Sequence, residues 1–308
     1  MVRFGGTLLA LLAALSLGAC QSGRVSCRLV RQAEIPVETG GTLALVSPEI
    51  DGTPMVFVLD TGAETSVLST AALKRLGIAF DFRRQARLNG VGAALTTVTA
   101  TIGRLRLGGL VIRDHRVAVD PHLLAGSGGA RPDGMLGADI LSRYDIDLDL
   151  PRRTMTLYRA RPCAGATPPW SFPYLRAPAA RRRNQLMIPI TLDGHPIAAA
   201  IDTGTTAAII VGARAARRTG VTARMLARDR IARIGGFAAP KVAIRLHRFE
   251  ALRVGDDLVR DPLLPVAPLP PGIDALIGLG YLRHHRLWLA YASAHVFIAK
   301  PRGGGGAR

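Results

Sequence analysis

Two apolar runs that end in an acid set the register of this chain. Val56-Phe57-Val58-Leu59 leads into Asp60, and Ile197-Ala198-Ala199-Ala200-Ile201 leads into Asp202. Each run is short and unbroken by polar residues, the pattern of a buried strand. Each follows an Asp-Gly pair, Asp51-Gly52 or Asp193-Gly194, which signals a hairpin turn between apolar segments. Ser69 can cap a short helix over 70–76 that stops at Gly77, and a matching segment in the second half stops at Gly220. Further strands are expected at 95–102 and 105–112, with Gly108-Gly109 nearby, and at 242–246 and 252–254. Residues 145–150 alternate acid and aliphatic, which predicts a strand with one buried face. No Gly follows Asp149, where a calcium loop of the EF-hand type needs one.

The same pattern occurs twice. Asp51-Gly52-Thr53-Pro54, an apolar run and Asp60-Thr61-Gly62 return as Asp193-Gly194-His195-Pro196, an apolar run and Asp202-Thr203-Gly204, 142 residues on. Downstream, Asp133-Gly134-Met135-Leu136-Gly137 matches Asp274-Ala275-Leu276-Ile277-Gly278 at an offset of 141. A register kept over so long a span implies an internal duplication. The copies occupy residues 33–160 and 184–300. Between them, 161–183 is rich in Pro, Arg and small residues and reads as a linker; 301–308 is a Gly-rich tail.

Composition adds a location. Hydrophobic residues make up 48% of the 308, so a sizeable core is available, but aromatics are 5%, so it must be built mainly from Leu, Ile, Val and Ala. The net charge of +18 is carried almost wholly by scattered Arg. No nucleic-acid-binding motif and no aromatic cluster accompanies it, so nucleic acid is not expected as a partner. Arg3 and the apolar segment 8–15 have the order of an export signal, too short to span a bilayer comfortably. Leu17-Gly18-Ala19-Cys20 resembles the lipobox of bacterial lipoproteins. That resemblance implies a signal peptide over 1–20, a lipid on Cys20, a tether over 21–32 and a membrane-anchored protein facing the periplasm. No Asp follows Cys20 to suggest inner-membrane retention, which favours the outer membrane. An ordinary secretory signal and a secreted protein is the alternative. Cys27 and Cys163 remain, and in an oxidising compartment they read as a disulfide or as two free thiols.

Two apolar strands ending in Asp-Thr-Gly, each followed about 75 residues later by Leu-Gly or Ile-Gly, resemble the aspartic protease superfamily, most closely its retropepsin-like group. The resemblance implies an all-β fold of two barrel-like lobes with pseudo-twofold symmetry and a cleft between them. It implies that Asp60 and Asp202 share one proton, that Thr61 and Thr203 brace the two loops across the lobe interface, and that Gly62 and Gly204 permit the sharp loop. Gly137 and Gly278 should lie against those loops. Flap candidates are the hairpin tips at Gly90-Val91-Gly92 and Gly235-Gly236-Phe237.

The copies differ after the Gly: Ala63 in the first, Thr205 in the second. A hydroxyl at Thr205 can donate to Asp202 and favour its charged form, which predicts Asp202 as the more acidic member and Asp60 as the proton carrier. The expected function is cleavage of peptides or proteins in the cell envelope by one monomeric chain, without metal or cofactor. The rivals are a protease-fold protein that binds envelope peptides without cutting, and lobes that pair between chains. His284-His285 lacks a third ligand at metal spacing, and no nucleophile-elbow Ser or phosphate-binding loop is present.

Overall fold

The computed structural model describes residues 28–123, 131–161, 167–236 and 239–299. It is nearly all β and has the expected two-lobed architecture, with two curled sheets joined by a third. Among the described residues no helix is long and apolar enough to cross a membrane.

Both Asp-Gly turns form as the sequence predicts. Asp51 and Gly52 have φ of 49° and 87°, and Asp193 and Gly194 have 46° and 78°. Successive left-handed residues match the twist of the flanking strands, and Asp followed by Gly tolerates them best. The Asp side chains then serve the neighbouring chain: Arg104 N donates to Asp51 Oδ1, and Glu250 N and Ala251 N donate to Asp193 Oδ1.

In the first sheet, Phe57–Leu59 runs parallel to Gly134–Leu136, which pairs antiparallel with Val67–Ser69. The second sheet repeats this: His195–Asp202 runs parallel to Ala275–Gly278, which pairs antiparallel with Ile209–Gly212. The duplication read from sequence is therefore a duplication of topology, and it delivers both Asp residues from the same kind of strand end. The helix after Ser69 spans Thr70–Arg75, and its cap is the Ser69 side chain accepting from Ala72 N. Its counterpart spans Ala213–Arg218.

Three expectations need correction. The strands placed at 95–102 and 105–112 are instead Ala93–Leu107 and Leu110–Asp120, joined by a turn at Gly108-Gly109. The apolar side chains of 105 and 107 continue the first strand to the turn, so the break lies later than the sequence suggested. The acid–aliphatic strand Asp145–Asp149 is buried on both faces, not one. Ile146 and Leu148 enter the core, while the opposite face is covered by polar partners: Arg286 binds both oxygens of Asp147 at 2.8 and 2.6 Å, and Trp170 Nε1 donates to the same carboxylate. Part of the linker is also built into the fold. Tyr174–Pro178 pairs with His295–Ala299, Ala180–Arg182 pairs with Gln185–Leu192, and Trp170 and Phe172 lie against the Arg286 guanidinium.

The third sheet locks the halves together. Its order is Arg28–Pro36, Thr154–Arg161, Asp145–Asp149, Arg286–Ala290, His295–Ala299, Tyr174–Pro178. Three strands come from the first half, two from the second and one, Tyr174–Pro178, from the segment between them; the two central strands pair antiparallel, Asp149 opposite Arg286. One buried cluster runs through both lobes and this sheet, including Phe57, Ile102, Leu136, Ile146, Ile201, Ile277 and Leu287. It is largely aliphatic, as the composition requires.

Candidate active site

Each Asp sits where a buried strand ends at the lobe interface. Asp60 and Asp202 are both 8% exposed. Asp60 is fixed from its own lobe by its N–H, which donates to Leu136 O at 3.0 Å. Thr61 and Thr203 cross between lobes. Thr61 Oγ1 donates to Ile201 O at 2.8 Å, and Thr203 Oγ1 donates to Leu59 O at 2.6 Å. In return, Thr61 N donates to Thr203 Oγ1 and Thr203 N to Thr61 Oγ1. Both threonines are buried, so four mutual bonds sheltered from water hold the two Asp loops in one geometry.

The loops approach so closely that neither tolerates a side chain after the Thr. A Cβ on Gly62 would strike the Asp202 carboxyl, and one on Gly204 would strike that of Asp60. Gly137 and Gly278 back the loops: a Cβ on Gly137 would lie 2.7 Å from Thr65 C, and one on Gly278 2.7 Å from Thr205 O. The two carboxyls stand close enough that each perturbs the ionisation of the other.

The environments of the two acids are unequal. Asp60 Oδ1 accepts from Gly62 N and Ala63 N, each at 2.8 Å. Asp202 Oδ1 accepts from Gly204 N and Thr205 N, and its Oδ2 also accepts from Thr205 Oγ1 at 2.8 Å. Burial raises both acids above the ordinary carboxylate range. The neighbouring charge of Asp202 raises Asp60 further, whereas the Thr205 hydroxyl lowers Asp202. Asp60 is held well above its usual value, and no side-chain hydroxyl opposes that rise as Thr205 does at Asp202.

A cavity of about 390 Å3 opens on the pair. Leu88, Val91, Met135, Ile210 and Ile273 supply apolar walls. The first hairpin, Asp81–Gly90 with Ala93–Leu107, closes one side, and Gly90 and Val91 line the cavity. Its tip reaches the other lobe, where Gly92 N donates to Pro268 O at 2.8 Å and Val91 packs on a cluster that includes Ile210, Ile244 and Leu276. The second hairpin, Arg230–Gly236 with Ala239–Arg248, carries Gly235 and Gly236 at its end, and its Ile234 lines the cavity. Phe237, Cys20, Cys27 and Cys163 lie outside the described residues. Among the described residues no group of three or more His, Cys, Asp or Glu is placed to hold a metal.

Two supports escaped the sequence reading. Gln185, 4% exposed and from the second lobe, donates its amide to Gly62 O in the first. Nothing in its local pattern marks it; only the packing of the lobes brings it there. Asp139 accepts from Ser66 N and Ser66 Oγ, at 2.8 and 2.7 Å, and its other oxygen meets His115 Nε2 at 2.8 Å. Ser66 Oγ in turn accepts from Gly137 N. This network braces the first loop alone. The second lobe has Gly280 in place of Asp139, and a Cβ there would lie 2.7 Å from Ala208 N. That difference two residues after Gly137 and Gly278 was the available signal.

Comparison with curated proteins finds no significant match to this chain. The aspartyl protease family model matches residues 46–140 and 188–281, so each segment carries one Asp-Thr-Gly loop and the Gly strand behind it. Matched over more than half its length, and twice in the register of its own duplication, the chain belongs to the aspartyl protease family.

Proposed function

We propose that this chain is an aspartic endopeptidase whose composite site uses Asp60 and Asp202. The observation that carries the reading is the unequal pair: two buried, mutually interacting carboxyls, of which only Asp202 has a side-chain hydroxyl on it. Ionised Asp202 takes a proton from a water placed between the acids. Protonated Asp60 donates to the peptide carbonyl oxygen as the tetrahedral intermediate forms, and the pair then returns a proton to the leaving amine. The threonine brace supports this by fixing the carboxyls before substrate arrives. The contacts of Gly92 and Val91 with the second lobe support a hairpin that covers substrate and excludes water.

The brace within one chain favours a monomeric enzyme. The Cys20 motif and the apolar segment before it favour a lipid-anchored protein acting on peptides or proteins in the cell envelope. The test is digestion of a mixed peptide library from pH 4 to 8 by the chain from residue 21, with pepstatin-type inhibitor as control. Defined cleavage blocked by inhibitor supports the reading. Intact peptides at every pH, with peptides still bound, would replace it with a binding protein that keeps the protease fold.

A further inference from the structure

The duplication places Leu43 and Gln185 at matching positions, 142 residues apart like the two Asp-Thr-Gly loops. The strand pairing agrees. Leu45 lies opposite Val58 in the first lobe and Met187 opposite Ala200 in the second, at that same offset. Leu43 and Gln185 both line the cleft that holds the two acids. Their chemistry differs. Leu43 packs against an apolar cluster that includes Val58, Val67 and Met135. Gln185 brings a carboxamide to the matching place in the other half.

The Gln185 carboxamide can sit only one way round. Gly62 O accepts and cannot donate, so the Nε2 end must face it, as it does. The strand Gln185–Leu192 is held between Ala180–Arg182 and His195–Asp202, so the side chain is fixed at its root as well as at its tip. The other end of the amide, Oε1, points away from Gly62. Among the described residues nothing donates to it. Nor is it one of the buried side-chain atoms sealed off without a partner, which lie on Asp120, Asp145, Trp288, Tyr291 and Ser293. Gln185 is buried, and the small surface it keeps lies on the cleft. Oε1 is thus an acceptor held in place, without a partner in the protein, that a group in the cleft can reach. Acceptors so nearly buried are rarely left unpaired.

We propose that Gln185 Oε1 accepts a backbone N–H of the bound peptide, from a residue beside the bond to be cleaved. The inference rests on the proposed peptidase function. Gly62 follows Asp60 by two residues, so a peptide whose carbonyl lies on the acids carries its neighbouring residues past Gln185. An extended peptide advances about 3.3 Å per residue, so an N–H within reach of Oε1 belongs close to the scissile bond. A backbone N–H is present whatever the side chain, so this contact positions the peptide without selecting its sequence. Leu43 offers no acceptor at the matching place, so the duplicated site holds the two sides of the peptide unequally.

The test uses a short peptide that the full chain cleaves in the library digestion, with a set of analogues. In each analogue one backbone N–H near the scissile bond is replaced by an ester oxygen. On the parent chain, one ester position on one side of the scissile bond should raise KM about fivefold, as expected for one hydrogen bond between neutral groups. In Gln185→Leu, which copies Leu43, the all-amide peptide should already show the raised KM, and the ester should add nothing. Loss of the contact with Gly62 lowers kcat for peptide and ester alike, so a merely structural role would leave the difference between them in place. Near-UV circular dichroism checks the variant; if Gln185→Leu fails to fold, Gln185→Met, closer in shape and also without the amide oxygen, takes its place. The proposal is overturned if no ester raises KM on the parent chain, or if the folded variant still discriminates peptide from ester at that position. Either result, obtained on a peptide that the parent cleaves, leaves the peptidase reading standing; a library in which nothing is cleaved overturns both.

Discussion

Thr205→Ala removes one hydroxyl and tests why two similar acids behave differently. Thr205 Oγ1 donates to Asp202 Oδ2 at 2.8 Å, and the first lobe has only Ala63 at the matching place. A hydrogen bond to a charged group contributes about 1.5–3 kcal/mol. Each pKa unit corresponds to about 1.36 kcal/mol, so full loss raises the lower apparent pKa of the pair by about one to two units. Thr205 is half-buried, so water replaces part of the bond and the expected shift is about one unit. The sign follows from the bond stabilising the ionised form: without it, Asp202 ionises at higher pH. The acid limb of kcat/KM, which reports the free enzyme, should therefore move up by about one pH unit. The basic limb, set by loss of the Asp60 proton, should move less. Thr205→Ser, which restores a hydroxyl, should return the acid limb toward its original position. An acid limb that stays in place or moves down in Thr205→Ala would refute the assignment of Asp202 as the ionised partner.

Other expectations follow from the same geometry. Asp60 is raised in the folded protein by burial and by Asp202, so the folded state holds a proton that the unfolded chain releases. Its stabilising contribution is complete below the ordinary carboxylate range and is lost as pH rises through its folded value. Asp60→Asn should accordingly melt above the parent at pH 8, with the gap narrowing toward pH 4; a constant gap would argue against a raised Asp60. Gly62→Ala places a methyl on the Asp202 carboxyl and should lower kcat/KM by about a hundredfold or more while the fold persists, as steady-state kinetics beside circular dichroism will show. Arg286→Met leaves Asp147, 4% exposed, without its two-bond partner and should cost about 3 kcal/mol in urea unfolding. A cost below about 1 kcal/mol would mean that the interlobe sheet does not depend on that pair.

Much of the fold was legible because the chain states it twice. The Asp-Gly turns, the apolar strands after them and the Ser69 cap follow local rules, and each appears where those rules place it. The Asp-Thr-Gly loops could be read for the same reason, since the offset of 142 fixes which residues must meet. What was not legible depends on contacts distant in sequence. Asp147 reads as a solvent-facing acid until Arg286, 139 residues later, covers it. Trp170 and Phe172 read as linker until they meet that same guanidinium. Gln185 acquires its place on Gly62 only when the lobes close. The apolar residues that follow residue 102 gave no local sign that one long strand continues to Gly108.

The central claim is that one chain builds one site from Asp60 and Asp202, and complementation tests it most directly. Asp60→Asn, Asp202→Asn and their equimolar mixture would be assayed on a peptide that the parent chain cleaves. The account predicts that each variant is inactive and that mixing restores nothing, because both acids must lie in one braced pair of loops. Activity regained on mixing would show lobes pairing between chains, and full activity in either variant alone would show that the site lies elsewhere.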